Sequence, residues 1–182
     1  MRAEILFPEV CNLYGDLQNV YYLRRCCPSL EIVETDLRSR PRFLDGEVSL
    51  VFMGSTTEQG LRLAADALRP YAADIAARVD AGQLLLLTGN ALYVFGRAIE
   101  SDSADTRGVG RNPDTPLEGY RRGGLMATYL IGPLLILNPP LCKWLLRRMN
   151  APSDALAFEA AAMASYEKRV AEFRQESRNY LY

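Results

Sequence analysis

Apolar positions follow two rhythms along this chain. Short apolar runs occupy Ala3 to Phe7, Val48 to Met53 and the leucines between Gln83 and Thr88. Nearly continuous runs of that length suit strands buried on both faces. Leu30 to Thr35 alternates apolar and polar positions, which predicts another strand. Between the strands the period changes. Leu61, Ala65, Leu68, Ala72, Ile75 and Val79 recur at three- and four-residue steps and predict a helix from Thr57 to Ala81. Pro70 should kink or split it, because proline donates no hydrogen bond. Gly82 ends it. An earlier helix is expected from Asp16, read as its N-cap, to about Cys26, stopping before Pro28. Gly89 and Asn90 close the leucine strand, and a short helix to about Phe95 ends at Gly96. The order β-α-β-β-α-β-α with short turns implies a parallel or mostly parallel sheet with helices on both faces. Sites in such sheets lie at the carboxyl ends of the strands. Here those ends are Pro8 to Asp16, Gly54 to Glu58 and Thr88 to Ala91, which should converge on one crevice.

Beyond Gly96 the pattern loosens. Ser101 to Gly124 is rich in Gly, Pro, Asp, Arg and Asn and reads as a long surface loop. Leu125 to Ile131 returns to strand pattern and Gly132-Pro133 breaks it. Asn138 should cap a helix that opens on two prolines and runs through Met149. A last helix is expected from Ser153 to about Arg178. Its stripe of Leu156, Met163, Tyr166, Val170 and Phe173 is read as core packing. No internal repeat occurs, and one domain spanning residues 1–182 is expected.

Composition narrows the chemistry. The net charge is −1, so no global field recruits nucleic acid or an anionic membrane. Arg24-Arg25, Arg121-Arg122 and Arg147-Arg148 are short clusters that suit a solvated surface. No apolar stretch reaches the ~20 residues of a membrane span, and Glu4 interrupts the first apolar run, so no membrane insertion and a cytoplasmic location are expected. Cys11, Cys26, Cys27 and Cys142 form no C-x-x-C pair and are expected to be reduced and partly buried. No metal or cofactor is implied. The chain contains no histidine. That removes the usual proton shuttle at neutral pH and any Ser-His-Asp or Cys-His mechanism within this chain.

Three segments carry a resemblance. Leu6 to Asn19 reads LFPEVCNLYGDLQN, Leu84 to Gly96 reads LLLLTGNALYVFG, and Ala127 to Pro139 reads ATYLIGPLLILNP. They resemble the cobyric-acid-synthase-type class I glutamine amidotransferases, most closely the amidase subunit of lipid II isoglutaminyl synthase. The first matches that family's strand and N-L-Y-G-D-x-x-N loop. The second stands where the nucleophile elbow lies, and the third where the catalytic histidine lies. The resemblance implies a flavodoxin-like α/β sandwich of class I amidotransferase type, and a role near cell-wall (peptidoglycan) or cobalamin synthesis. It also implies a Mur-ligase-like synthetase as partner.

Two departures change the expected function. The family elbow reads C-G-G-Y-Q-L-L-G, and Gly89 stands at the cysteine. The later strand reads T-Y-L-H-G-P-L-L, and Ile131 stands at the histidine. The chain is also short between Ile99 and Gly110, where the family carries extra strands. Glutamine hydrolysis needs a thiolate, a base and oxyanion donors. Only the backbone donors near Gly54-Ser55 and the elbow are expected to survive. The resemblance therefore implies a catalytically inactive subunit, a pseudoenzyme. Gly54, Ser55 and Asn90 would line its ancestral substrate site, and Asn12, Tyr14, Asp16 and Asn19 would shape its first loop. Two other readings stand beside it. One is a small-molecule module holding an amino acid or anion at the helix starts after Gly54 and Gly89. The other is an amide hydrolase with a rebuilt nucleophile at Thr88, Ser55 or Cys11, with Glu9, Asp16 or Glu58 as base.

Overall fold

Six strands form one sheet in the computed structural model, which describes residues 1–95 and 119–174. They are β1 (Arg2–Leu6), β2 (Glu31–Thr35), β3 (Leu50–Met53), β4 (Leu85–Thr88), β5 (Tyr120–Arg122) and β6 (Leu125–Thr128). The sheet order is β2-β1-β3-β4-β6-β5. Every neighbouring pair is parallel except β5 with β6. The helices are α1 (Gln18–Cys26), α2 (Glu58–Leu68), α3 (Ala72–Asp80), α4 (Pro139–Arg148) and α5 (Glu159–Arg174). This is an α/β fold with the layered, mostly parallel order of a flavodoxin-like sandwich.

Strand alternation splits the core into two layers. Ala3, Ile5, Leu50, Phe52, Leu84 and Leu86 face α1 and α4. Leu6, Val51, Met53, Leu85 and Leu87 face α2 and α3. All residues of β3 and β4 are buried, which explains their unbroken apolar runs. Each large apolar side chain removed from water contributes roughly 1.5–3 kcal/mol. Glu4 points into the second layer and is fully buried. Its carboxylate accepts from Thr35 Oγ1 at 2.5 Å and from the Arg42 and Phe43 backbone N–H groups at 2.7 Å. The polar break in the first run is thus a satisfied clamp joining β1, β2 and the turn before β3.

The predicted long helix is split at Pro70. Thr57 caps α2 by accepting from the Gly60 N–H at 3.0 Å, and a 3-10 turn at Arg69–Tyr71 carries the proline into α3. The buried stripe is Gly60, Ala64, Leu68, Ile75 and Val79. It runs one position ahead of the predicted stripe in α2, so Leu61 and Ala65 are half-buried and Ala72 is exposed.

Other expectations are corrected. Asp16 does not cap α1, whose first turn makes no side-chain cap bond. Asn138 precedes α4 without a capping hydrogen bond from its side chain. Tyr120–Arg122, expected in a loop, forms the antiparallel edge strand. Ser153 precedes α5, which starts at Glu159. Of the predicted stripe, Leu156 is buried in the core ahead of α5, but Met163, Tyr166 and Val170 on the helix are only half-buried, so α5 does not continue it as a core face. The stop at Gly96, the short 99–110 region, most of the Ser101 to Gly124 loop, the side chain of Phe173 and the helix end toward Arg178 lie outside the described residues.

No helix among the described residues is long and apolar enough to cross a membrane.

Candidate functional site

The strand order reverses between β1 and β3, and the loops after β1, β3, β4 and β6 meet at that carboxyl edge. Asp16 is their common point. It is fully buried. Its Oδ2 accepts from the Ser55 N–H at 2.7 Å, the Ser55 hydroxyl at 2.5 Å and the Thr88 hydroxyl at 2.8 Å. Its Oδ1 accepts from the Gly132 N–H. One carboxylate thus ties together the ends of three other strands. Gly54 permits the approach, because a Cβ there would stand 3.0 Å from Asp16 Cβ and 3.0 Å from the Cys11 carbonyl oxygen.

Asn19 extends this polar knot. Its Nδ2 donates to the Asp16 carbonyl and to the Gly132 carbonyl, both at 2.9 Å, and its Oδ1 accepts from the Leu135 N–H at 2.9 Å. Asn90 exchanges two bonds with the Thr56 backbone, accepting at 3.0 Å and donating at 2.8 Å. Asn12 is tied to the Pro8 carbonyl at 2.7 Å. Tyr14 is exposed and left-handed at φ 58°.

Gly89 sits at the turn from β4 into a 3-10 helix spanning Gly89–Phe95. Its φ is +57°, a conformation that favours glycine. A Cβ added there would overlap Ser55 Oγ, lie 3.0 Å from Ser55 Cβ and lie 2.9 Å from Ile131 Cγ2. Gly89 and Ile131, distant in sequence, are therefore neighbours. Ile131 is half-exposed at the mouth, flanked by exposed Leu130.

The structure brings together Gly54, Ser55, Asp16, Asn19, Asn90, Gly89 and Ile131. It leaves Asn12 at the rim and Tyr14 turned to solvent. Thr88 was read from the sequence as a strand end at the crevice and a candidate nucleophile; its bond to Asp16 makes it part of the knot. Gly132 was read as a strand breaker, and it supplies a donor and an acceptor through its backbone.

The chemistry this permits is narrow. Ser55 and Thr88 are buried, and both hydroxyls donate to Asp16. The Ser55, Thr56 and Gly89 N–H groups are engaged by Asp16, Asn90 and the Leu130 carbonyl. Glu9 is committed to the Leu37 N–H at 2.7 Å, away from the knot. Glu58 stands exposed in the first turn of α2. Cys11 is buried, and burial pushes its thiol up to about 12. Thiolate is scarce at neutral pH for such a group. Among the described residues no group of three or more acidic or cysteine side chains fits a metal ion.

A cavity of about 970 Å³ lies elsewhere, between α2, α3, β6 and the Gly89–Phe95 turn. Leu68, Ile75, Val79 and Phe95 help to line it, and no residue of the polar knot does.

No family model matches this chain, and no curated protein matches it.

Proposed function

We propose that this chain is a catalytically silent relative of the class I glutamine amidotransferases, serving as a structural or regulatory subunit of a Mur-ligase-like amide-forming synthetase. The observation that carries this reading is the contact between Gly89 and Ile131. The resemblance assigns those two positions to a nucleophile and its base, and they sit side by side at the carboxyl edge of the sheet. The nucleophile position has no side chain and no room for one. The base position is aliphatic. Around them the loops are held by internal hydrogen bonds rather than left open to a substrate.

The rebuilt-hydrolase reading meets an obstacle in the same geometry. Ser55 lies 2.5 Å from a carboxylate, as an activated hydroxyl would, but both groups are buried and Asp16 serves three further donors.

The test is glutaminase activity, read as ammonia and glutamate release, with and without a Mur-ligase-like synthetase. The natural chain should release neither product and should form a stable complex with the synthetase. The variant Gly89→Cys with Ile131→His should stay silent, because Ser55 fills the space of the new side chain. Adding Ser55→Gly makes that space. Turnover by the natural chain, or failure to bind the synthetase, overturns the proposal.

A further inference from the structure

Helix α5 is held to the body by polar ties rather than by buried side chains. Ala162 is the one buried residue among its described side chains, and none of these belongs to either core layer. The helix lies against α4. Glu159, its first residue, meets Lys143 in the middle of α4, with Nζ 2.5 Å from Oε1. Further along, Arg169 donates to the Leu137 carbonyl just before α4 begins. α5 therefore runs antiparallel to α4 and reaches past its start. Leu137 belongs to the connection from β6 to α4. The same connection carries Ile131 beside Gly89, Gly132 on Asp16 and Leu135 on Asn19.

The entry to α5 is fastened more firmly than the helix itself. Leu156 is buried in the core layer under α1 and α4. The Tyr22 hydroxyl donates to the Ala157 carbonyl at 2.7 Å, and the Ala157 N–H donates to Cys26 Sγ at 3.4 Å. Phe158 is exposed and left-handed at φ 58°, so the chain turns sharply there. Its carbonyl accepts from the Ala162 N–H at 3.0 Å as the helix opens. Glu159 reaches back across the turn, its Oε2 accepting from the Leu156 N–H at 2.8 Å.

We propose that α5 is a releasable strap: it leaves the body as one unit, turning about Phe158, and its release frees the β6–α4 connection at Leu137. The ties that hold it differ in kind from those that hold the sheet. β3 and β4 are buried throughout, so opening them uncovers core. Opening α5 uncovers one alanine and the half-buried Met163, Tyr166 and Val170. Segments with so few buried contacts open locally, at a fraction of the global cost. The Lys143–Glu159 pair is the latch. Its side chains are 26% and 32% exposed, so water and salt compete for it. Arg169 ties the helix further along. The chain up to Ala157 stays in place, because Leu156 sits in the core and Tyr22 holds Ala157. A helix of this length is marginal in water without tertiary support. The amides of a released α5 therefore exchange with solvent.

The experiment is hydrogen–deuterium exchange on the full-length chain, read by mass spectrometry. In the natural chain the α5 amides should exchange at least about 10-fold faster than those of β3 and β4, with even protection from Met163 to Arg174. Glu159→Gln should speed exchange along the whole helix by roughly 2- to 5-fold, the effect of losing one partly exposed ion pair. It should leave β3 and β4 unchanged, and Lys143→Met should behave alike. Added sodium chloride should speed α5 in the natural chain and act less on Glu159→Gln. Arg169→Ala should speed α5 and, with it, the Leu134 and Leu137 amides of the freed connection. Exchange of α5 as slow as that of β3 and β4 overturns the proposal, because the helix would then open only with the whole fold. A gradient of exchange rising toward Arg174 overturns it too, because that is fraying from one end. Leu134 and Leu137 amides that ignore Arg169→Ala overturn the tie to the β6–α4 connection. Should a variant fail to fold, the natural chain's own pattern still decides whether α5 opens as a unit.

Discussion

Ser55 donates twice to one oxygen of Asp16, from its N–H at 2.7 Å and from its hydroxyl at 2.5 Å. Thr88 joins them at 2.8 Å, and Gly132 serves the other oxygen. A carboxylate offers about four lone-pair sites, and it meets four donors here, three crowded on Oδ2 and one on Oδ1. The side chain is acceptor-only, as four converging donors require.

That arrangement predicts the effect of Asp16→Asn. An amide keeps the size but turns one acceptor into a donor, which would then face other donors. Hydrogen bonds to charged groups contribute about 1.5–3 kcal/mol each, and a buried donor left unpaired costs a similar amount. The substitution should lower unfolding stability by roughly 3–5 kcal/mol, read from the urea midpoint at unchanged slope. A loss below about 1 kcal/mol, the size of an ordinary surface change, would mean that the knot does not hold the loops together.

Gly89→Ala should also destabilise, for two separable reasons. The left-handed backbone at φ +57° opposes a side chain, and the new Cβ overlaps Ser55 Oγ. Strain of this kind costs of order 1–3 kcal/mol, with the clash in addition. Ser55→Gly in the same chain removes the clash but not the strain. The double variant should therefore lose less than the sum of the two single losses. Simple additivity in that cycle would place the two residues out of contact.

The sheet was legible because buried strands and amphipathic helices write their periods into the sequence. Val48 to Met53, the leucines before Thr88 and the split at Pro70 all appear where their patterns put them. The phase of α2 was missed by one position because Gly60 and Ala64 are small. Small side chains weigh little in an apolar pattern, although close packing under the helix selects them. Asp16 was misread for a different reason. An Asp at the start of a helix suits a cap, and only the third dimension reveals that Ser55, Thr88 and Gly132 compete for its oxygens. Glu4 could be seen in sequence only as an interruption. The β5 edge strand is short and polar, so it carries no strand period. Asp16, Ser55, Thr88 and Gly89 did converge, whereas Tyr14 and Glu9 turned away, and the hydrogen bonds that join the first group have no linear signature.

Glu4→Gln tests the second buried carboxylate. Glu4 Oε1 accepts from Thr35 and the Arg42 N–H, and Oε2 from the Phe43 N–H. An amide nitrogen at either oxygen would oppose at least one backbone donor. The expected loss is about 2–4 kcal/mol, with faster hydrogen exchange at Arg42 and Phe43. Unchanged exchange at those two amides would contradict the clamp.

Cys11 predicts a difference at alkaline pH. Burial raises its folded-state pKa from 9.0 to about 12. A raised pKa means that the unfolded chain gives up this proton first. The stability contribution is therefore complete below pH 9.0 and falls as pH rises toward about 12. Natural chain and Cys11→Ala should be compared by denaturant unfolding below and above that lower limit. The stability difference between them should shrink, or reverse, as pH rises. A pH-independent difference would show that the thiol is not held neutral by the fold.

Trp144 offers a built-in optical probe, since it is the single tryptophan of the chain. Neighbouring arginines of β5 point to opposite faces, as strand alternation requires. Arg122 reaches down to Asp80 on α3 at 3.1 Å. Arg121 lies over the Trp144 ring on α4, with Cζ 5.4 Å from its centre, and Arg148 approaches the same ring at 5.9 Å. The edge strand is thus pinned on both faces by charge. A guanidinium over an aromatic face contributes about 0.5–1 kcal/mol at exposed sites, and an exposed ion pair about 0–1 kcal/mol that salt screens. Arg121→Ala and Arg148→Ala should each shift the Trp144 emission and cost stability that survives added salt. Arg122→Ala should leave the emission unchanged, and its smaller cost should vanish in salt. Emission unaltered in both Arg121→Ala and Arg148→Ala would place neither guanidinium on the ring. The edge strand would then be anchored by its backbone pairing with β6 and by Asp80 alone.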